Sequence, residues 1–258
     1  MKQGWKTDIS IATEEKTLIR GYNVEELMTK CNFTQAIWLL WKGELPNKKE
    51  EALFNTILIS AMEHGITPPS ITAARIAYSG SGQMNSAVAA GILAIGQHHG
   101  GAMEQCAQLL HSHIDDEMKA NTAEEIAKHI VDNMMERKQR IPGFGHKIYT
   151  DHDPRAQAIF QQAKKAGYNR KYIETVQKIE SYLEKKKGKK LCINIDGAIA
   201  AVMLEMGFDW KLGRGFFILP RTVSIIAHVH EEAIKEKPFR RLEDKETEYT
   251  GVKERKIL

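Results

Sequence analysis

From Val24 onward the sequence repeats one pattern: a stretch with apolar side chains at helical spacing, then a break at glycine, proline or asparagine. The spacing predicts helices over 24–30, 33–42, 48–64, 69–79, 84–98, 101–118, 122–139, 154–166, 169–187, 196–207 and 220–236. The breaks fall at 43–46, 65–69, 80–82, 143–154 and 213–220. Only the segment 7–20 carries alternation, around a polar middle, and it reads as a short hairpin. The class that follows is all-α with a short N-terminal β-hairpin. The stretch 86–96 is apolar on nearly every side and rich in small residues, so it is expected to be buried, in the subunit core or between subunits.

A chain of 258 residues, 42% hydrophobic and 27% charged, can bury one large core or two modest ones. Its net charge of +4 comes from scattered Lys and Arg, apart from the run Lys185-Lys-Lys-Gly-Lys-Lys190, which reads as a solvated helix end with a turn at Gly188. There is no basic face with interleaved aromatics, so nucleic acid is not an expected partner, whereas a small phosphate-bearing ligand is compatible. Cys31, Cys106 and Cys192 are far apart in apolar surroundings and read as reduced core residues. No apolar leader and no run of membrane-spanning length is visible, which makes the cytoplasm the expected compartment and a membrane no partner.

The segment Ile141-Pro-Gly-Phe-Gly-His-Lys-Ile-Tyr-Thr-Asp-His-Asp-Pro-Arg155 carries the chemistry. Gly143 and Gly145 allow close approach of the backbone to a ligand, so His146 is expected in a turn. Asp153 as N-cap and Pro154 at the first helical position start a new helix with Arg155 in its first turn, where a guanidinium can grip a carboxylate. Alone, a Gly-rich turn with a histidine is only a loop. Gly80-Ser-Gly-Gln-Met-Asn85 lacks the preceding strand and third glycine of a dinucleotide loop. His98 and His99, with His111 and His113 downstream, have no acidic or Cys partner spaced to match, His228 and His230 fall on an expected helix in an ordinary hydrogen-bonded or exposed role, and no metal is expected.

Three glycine-flanked elements belong together: His99-Gly-Gly-Ala-Met-Glu104, Gly143-Phe-Gly-His-Lys147 and Asn194-Ile-Asp-Gly197. Two hydrogen-bonding histidines and a proton-transfer carboxylate form a plausible reaction set. The set resembles the citrate synthase family. His99 matches the histidine of that family's HGGAxxE element, His146 that of GxGHxxxxxxDPR, and Asp196 the aspartate of NxD. Arg155 matches the arginine of DPR, and Arg221, in Leu219-Pro-Arg-Thr222, matches its second carboxylate arginine. In that family a third arginine comes from the other subunit. Here it falls in Phe239-Arg-Arg-Leu242, with Arg240 the first choice and Arg241 the alternative, because the usual Arg-Pro-Arg context is missing. The resemblance runs from about Arg75 to Gly251.

The resemblance implies a citrate synthase-like helical fold with a large domain from 1–104 and 206–258 and a small domain from roughly 105–205, closing over the substrate. Compared with citrate synthases the region before Arg75 is short. Asn194-Ile-Asp-Gly-Ala-Ile-Ala200, Phe216 to Thr222 and Ser86 to Gly91 lean toward the citryl-CoA lyase type found as the C-terminal module of ATP-citrate lyase. The leading expectation is therefore cleavage of citryl-CoA to acetyl-CoA and oxaloacetate. His99 would steady the enolate oxygen, His146 would act as base or hydrogen-bond partner at the tertiary hydroxyl, and Asp196 would protonate carbon. Arg155, Arg221 and Arg240 would hold carboxylates. Gly143, Phe144, Gly145 and Lys147 would meet CoA, which is substrate, so no cofactor is expected. A short citrate or 2-methylcitrate synthase is the second expectation, and a non-catalytic CoA- or tricarboxylate-binding subunit the third. A homodimer or dimer of dimers is implied, with a citryl-CoA synthetase as functional partner.

Overall fold

The computed structural model describes residues 4–117 and 119–256. Among these the chain forms eleven α-helices and one three-stranded antiparallel sheet. The sheet is β1 (Ser10–Ala12), β2 (Thr17–Ile19) and β3 (Tyr22–Asn23). The expected hairpin thus gains a third strand. Arg20 and Gly21 both take positive φ, 48° and 85°, which turns the chain a second time and pairs Ile19 with Tyr22.

The helices are α1 (Val24–Lys30), α2 (Phe33–Lys42), α3 (Lys48–Met62), α4 (Pro69–Ser81), α5 (Met84–Leu93), α6 (Ala102–His111), α7 (Ala123–Glu136), α8 (Pro154–Ala166), α9 (Lys171–Lys187), α10 (Ile195–Glu205) and α11 (Gly213–Lys235). Asn32, Asn47 and Thr122 start α2, α3 and α7 with reciprocal capping boxes. Three expectations are corrected. The helix expected over 84–98 stops at Leu93, because residues Gly96 to His99 close a tight turn instead. The one expected over 101–118 leaves α geometry at Ser112 for a π-helical turn, Ser112–Glu117, and residue 118 lies outside the described residues. The break expected at 213–220 is absent, since α11 runs through Pro220. That proline removes one backbone donor but leaves the helix otherwise intact.

Contacts divide the chain into two compact units, Met1–His64 with Ile95–Arg221, and Gly65–Ala94 with Thr222–Leu258. These packing units cut the chain at other points than the expected domains, 1–104 with 206–258 and 105–205. The first unit is centred on α10, where every residue from Gly197 to Leu204 is buried. A helix apolar on all sides needs neighbours on all sides; α3, α6, α8 and α9 supply them. An aromatic cluster of Trp38, Trp41, Phe54, Phe208 and Phe216 completes this core. Cys106 and Cys192 are buried in this unit, and Cys31 is only half-buried.

In the second unit Ile71, Ala74, Ala87, Ile225 and Val229 form a small core. Gly91 lets α5 press onto α4, since a Cβ there would stand 2.8 Å from the Ser70 carbonyl oxygen. Helix α5 buries Ala87 and Gly91 within the chain, while Leu93 is 84% exposed. Burial on nearly every side, expected of the segment 86–96, is not achieved by one chain. No described helix is long and apolar enough to cross a membrane.

Candidate active site

The loop that carries His146 is seated by glycine. Gly143 and Gly145 take φ of 87° and 82°, and the loop pairs with the strand-like residues ahead of α10. Gly145 N donates to Cys192 O at 2.7 Å, Asn194 N to Gly143 O at 3.0 Å, and Asn194 Nδ2 to Gly145 O at 2.9 Å. A Cβ on Gly143 would come within 2.7 Å of Gly197 Cα and 2.9 Å of Cys106 Sγ. Residues 143–145 therefore lie flat on the start of α10.

His146 leaves this loop with a defined tautomer. Its Nδ1 accepts from Ile148 N at 3.0 Å and Tyr149 N at 3.1 Å, so the proton of the neutral ring is assigned to Nε2 from the hydrogen-bond network. Burial lowers its pKa, and Arg155 and His64 add to that effect against the opposing Asp153. The ring is neutral at pH 7 and presents a donor. Nε2 lies 3.5 Å from Arg155 Nη2.

Arg155 and Asp196 face the same region. Asp153 caps α8 and grips the Arg155 side chain, with Nη2 to Oδ2 at 2.8 Å. Bonding to Asp153 raises the Arg155 pKa further. Asp196 stands in the first turn of α10, where Asn194 Oδ1 accepts from the backbone N–H of Asp196 and Gly197. A helix N-terminus ordinarily favours a carboxylate. Burial nevertheless lifts the Asp196 pKa, Arg155 pulls it back, Asp153 adds to the rise, and the group is left at about 6. A carboxyl poised there can carry a proton in either direction near neutrality.

The second group gathers around Phe217. His99 closes the turn that begins at Gly96, and its ring meets Phe217 edge-on at 5.3 Å. The Arg221 guanidinium lies over the same ring, 4.9 Å from its centroid. Burial first, then Arg221, lowers the His99 pKa, so this imidazole is also neutral. Arg221 is 3% exposed and its Nη2 donates to Ala61 O at 3.2 Å. Its Nε and Nη1 are buried without a hydrogen-bond partner among the described residues. Buried, unsatisfied guanidinium donors are costly unless an anion fills the place. The end of α3 serves both groups: Ala61 and Glu63 reach Arg221, and His64 acts on His146.

The structure therefore brings His146, Arg155 and Asp196 together in the first unit, and pairs His99 with Arg221 in the same unit. Arg240 belongs to the second unit. There its Nε and Nη2 bond Glu232 at 2.8 and 3.0 Å, and Nη2 also meets Glu236 at 3.1 Å. Glu232 is shared with Arg75 Nε at 2.6 Å. Arg241 makes no ion pair among the described residues. His64 and the extended role of Asp153 carry no local signal beyond an exposed histidine and an ordinary N-cap, and sequence reasoning missed both.

Phe144, Gly145, His146 and Lys147 line a cavity of about 570 Å³ whose floor includes Ile141, Leu183 and Leu191. Arg140, Lys187 and Lys189 also line it. The lysine run at the end of α9 is thus part of a wall, not only a solvated helix end. Apolar floor and basic wall suit a ligand with a flat heterocycle and phosphates. No cluster of three or more metal-ligating side chains occurs among the described residues.

The family model described as citrate synthase, C-terminal domain, matches residues 4–56 and 46–242. The chain is 33% identical over 204 residues to citrate/2-methylcitrate synthase of Bacillus subtilis (strain 168), covering 77% of this chain and 52% of that protein. It thus spans about half the length of the curated relatives it matches. The structure of citryl-CoA lyase from Hydrogenobacter thermophilus matches with 41% identity and a TM-score of 0.91, covering 98% of this chain and 97% of that one. Citrate synthase from Thermoplasma acidophilum, solved with carboxymethyl coenzyme A and oxaloacetate, matches with 27% identity and a TM-score of 0.69 over 88% of this chain and 59% of that one. With its helical fold and a family model that matches most of its length, this chain belongs to the citrate synthase family.

Proposed function

We propose that this chain is a citryl-CoA lyase, cleaving citryl-CoA to acetyl-CoA and oxaloacetate. The observation that carries the reading is the likeness to the Hydrogenobacter thermophilus citryl-CoA lyase, 41% identical with a TM-score of 0.91. The match to citrate/2-methylcitrate synthase is at 33% identity.

The bond to break joins the carbinol carbon to the CH2 of the thioester. As it breaks, the electron pair passes into the thioester carbonyl and the hydroxyl oxygen becomes a ketone, its proton passing to water. The proton for the enolate carbon comes from Asp196, which is reprotonated from water afterwards. His146, with its proton on Nε2, acts as the hydrogen-bond partner of the oxygen that becomes the ketone. Neutral His99 donates to the developing enolate oxygen, where a hydrogen bond strengthens as charge arrives. Asp196 in its acid form delivers a proton to the enolate carbon. Arg155 and the unsatisfied edge of Arg221 hold carboxylates whose charge is unchanged in the step, so they orient more than they catalyse. The thioester is itself the electron sink, and no cofactor is needed.

The cavity beside Gly143 to Lys147 takes the CoA nucleotide, with Lys147, Lys187 and Lys189 near its phosphates. Closure of the 105–205 lobe keeps water from the thioester. The partly exposed, small-residue helix α5 supports association of two chains, which would let an arginine act in the neighbouring site. Because the fork of Arg240 is held by Glu232 and Glu236, the proposal for that arginine moves to Arg241.

The purified protein is assayed with citryl-CoA, following oxaloacetate, and with acetyl-CoA plus oxaloacetate, following free thiol. Oxaloacetate release without thiol release is the expected result. Thiol release with citrate as product would replace the lyase reading by the synthase reading, which the identity to citrate/2-methylcitrate synthase favours.

A further inference from the structure

Asp153 does not touch the reacting atoms in the scheme above, yet its side chain is fully committed. It is 1% exposed. Its Oδ1 accepts from the backbone N and from Nε of Arg155, both at 3.0 Å. Its Oδ2 accepts from Arg155 Nη2 at 2.8 Å and from Ile195 N at 3.1 Å. Capping α8 requires only the first of these four bonds.

The bond to Ile195 has a different reach. Ile195 is the first residue of α10 and the immediate neighbour of Asp196, and Asn194 already serves the next two amides. One carboxylate thereby fixes the register of the turn that carries Asp196 and, at the same time, the Nε–Nη2 edge of Arg155. The remaining Nη1 side of the guanidinium is what a substrate carboxylate can meet.

We propose that Asp153 is a positioning residue for this reaction, holding the Arg155 guanidinium and the Asp196 turn as one charge-neutral unit. The proposal rests on the reading of Arg155 as carboxylate grip and Asp196 as proton carrier. The ionisable groups that bear on Asp196 are Arg155 of α8, Asp153 ahead of it, and the buried Cys106 thiol of α6. Of these Arg155 alone is cationic, and the Asp153 carboxylate is held ionised: burial pushes its pKa up, but the bonds from Arg155 outweigh that and keep it below the usual carboxylate range. Removing the Asp153 charge leaves Arg155 uncompensated beside Asp196, which favours the ionised form of the proton carrier.

The test is the titration of the Asp196 carboxyl group by its carbon-13 NMR shift in the parent protein, in Asp153→Asn and in Asp153→Ser, with Asp196→Asn identifying the resonance. Serine keeps a cap for Arg155 N while removing the charge and the grip, so it serves if the asparagine variant folds poorly. The expected result is a midpoint lower by about one pH unit in both variants, together with a rise in KM for citryl-CoA of about tenfold or more. A purely structural Asp153 would lower the melting temperature and leave the midpoint in place, and that outcome overturns the proposal. The titration needs no turnover. Failure of the lyase reading would show separately, as a parent protein that releases no oxaloacetate.

Discussion

Gly143 and Gly197 meet backbone to backbone: a Cβ on Gly143 would stand 2.7 Å from Gly197 Cα, and one on Gly197 would run into the Gly143 carbonyl oxygen. The contact seats the His146 loop on the Asp196 helix. Gly197→Ala is expected to destabilise by about 1–3 kcal/mol through overpacking, read by urea unfolding, and to depress turnover beyond the loss of folded protein. Gly145→Ala is the comparison. Unlike Gly197 it has a positive φ, but its Cβ would meet only Leu191 at 3.6 Å, so it should affect stability through backbone strain and spare turnover more. Equal turnover losses in the two variants would sink the seating argument.

Arg221 offers a test whose sign separates binding from folding. Two of its nitrogens are buried without partners, and burial lowers its pKa against the pull of Glu63. Replacing it by methionine removes an unsatisfied charge at similar volume, so the free protein should be as stable as the parent or more stable. The same change should weaken substrate binding by about 1.5–3 kcal/mol, the worth of a charged hydrogen bond. A melting temperature that falls together with affinity would mean that the guanidinium serves the fold.

The parts of this site legible in the sequence are those made locally. Asp153 and Pro154 announce α8 and Gly188 ends α9, because caps and positive-φ positions depend on neighbours in the chain. The end of α5 was misjudged because apolar spacing continues to Gly96, whereas the turn to His99 competes for the same backbone groups. Pro220 looked like a boundary, but α11 is held on both sides of it by buried Phe216 and Ile225. His64, Lys187 and Lys189 gained their places only by tertiary approach to the 141–147 loop. Their local patterns, a helix-end histidine and a lysine run, fit an exposed surface equally well.

Asp196, at a pKa of about 6, makes a pH prediction that does not depend on which overall reaction dominates. Exchange of the acetyl-CoA methyl hydrogens in heavy water, with a ketoacid analogue in the oxaloacetate site, needs the ionised carboxylate as base. The rate should therefore fall about tenfold per pH unit below the midpoint and level off above it. Asp196→Asn should abolish exchange while binding of the analogue persists. A flat profile between pH 5 and 8, roughly the span over which such a group must titrate, would remove Asp196 from the proton-transfer role.

Arg240 and Arg241 are neighbours with opposite expected behaviour. Burial pushes the Glu232 carboxyl up, but Arg240 and Arg75 outweigh it and hold the pKa below the usual value. A carboxylate whose pKa is depressed by folding contributes stability above its unfolded pKa and loses it as pH falls through the folded one. Arg240→Ala should therefore destabilise by about 1–2 kcal/mol at neutral pH, reduced from a fully buried pair because the arginine is partly exposed, and the difference should vanish in acid. Arg241→Ala should leave stability unchanged and lower activity. Mixing Arg241→Ala subunits with Asp196→Ala subunits should then restore turnover, since each hybrid pair would contain one site with both groups intact. Verified subunit exchange without recovery would show that no arginine crosses from one chain to the other at this position.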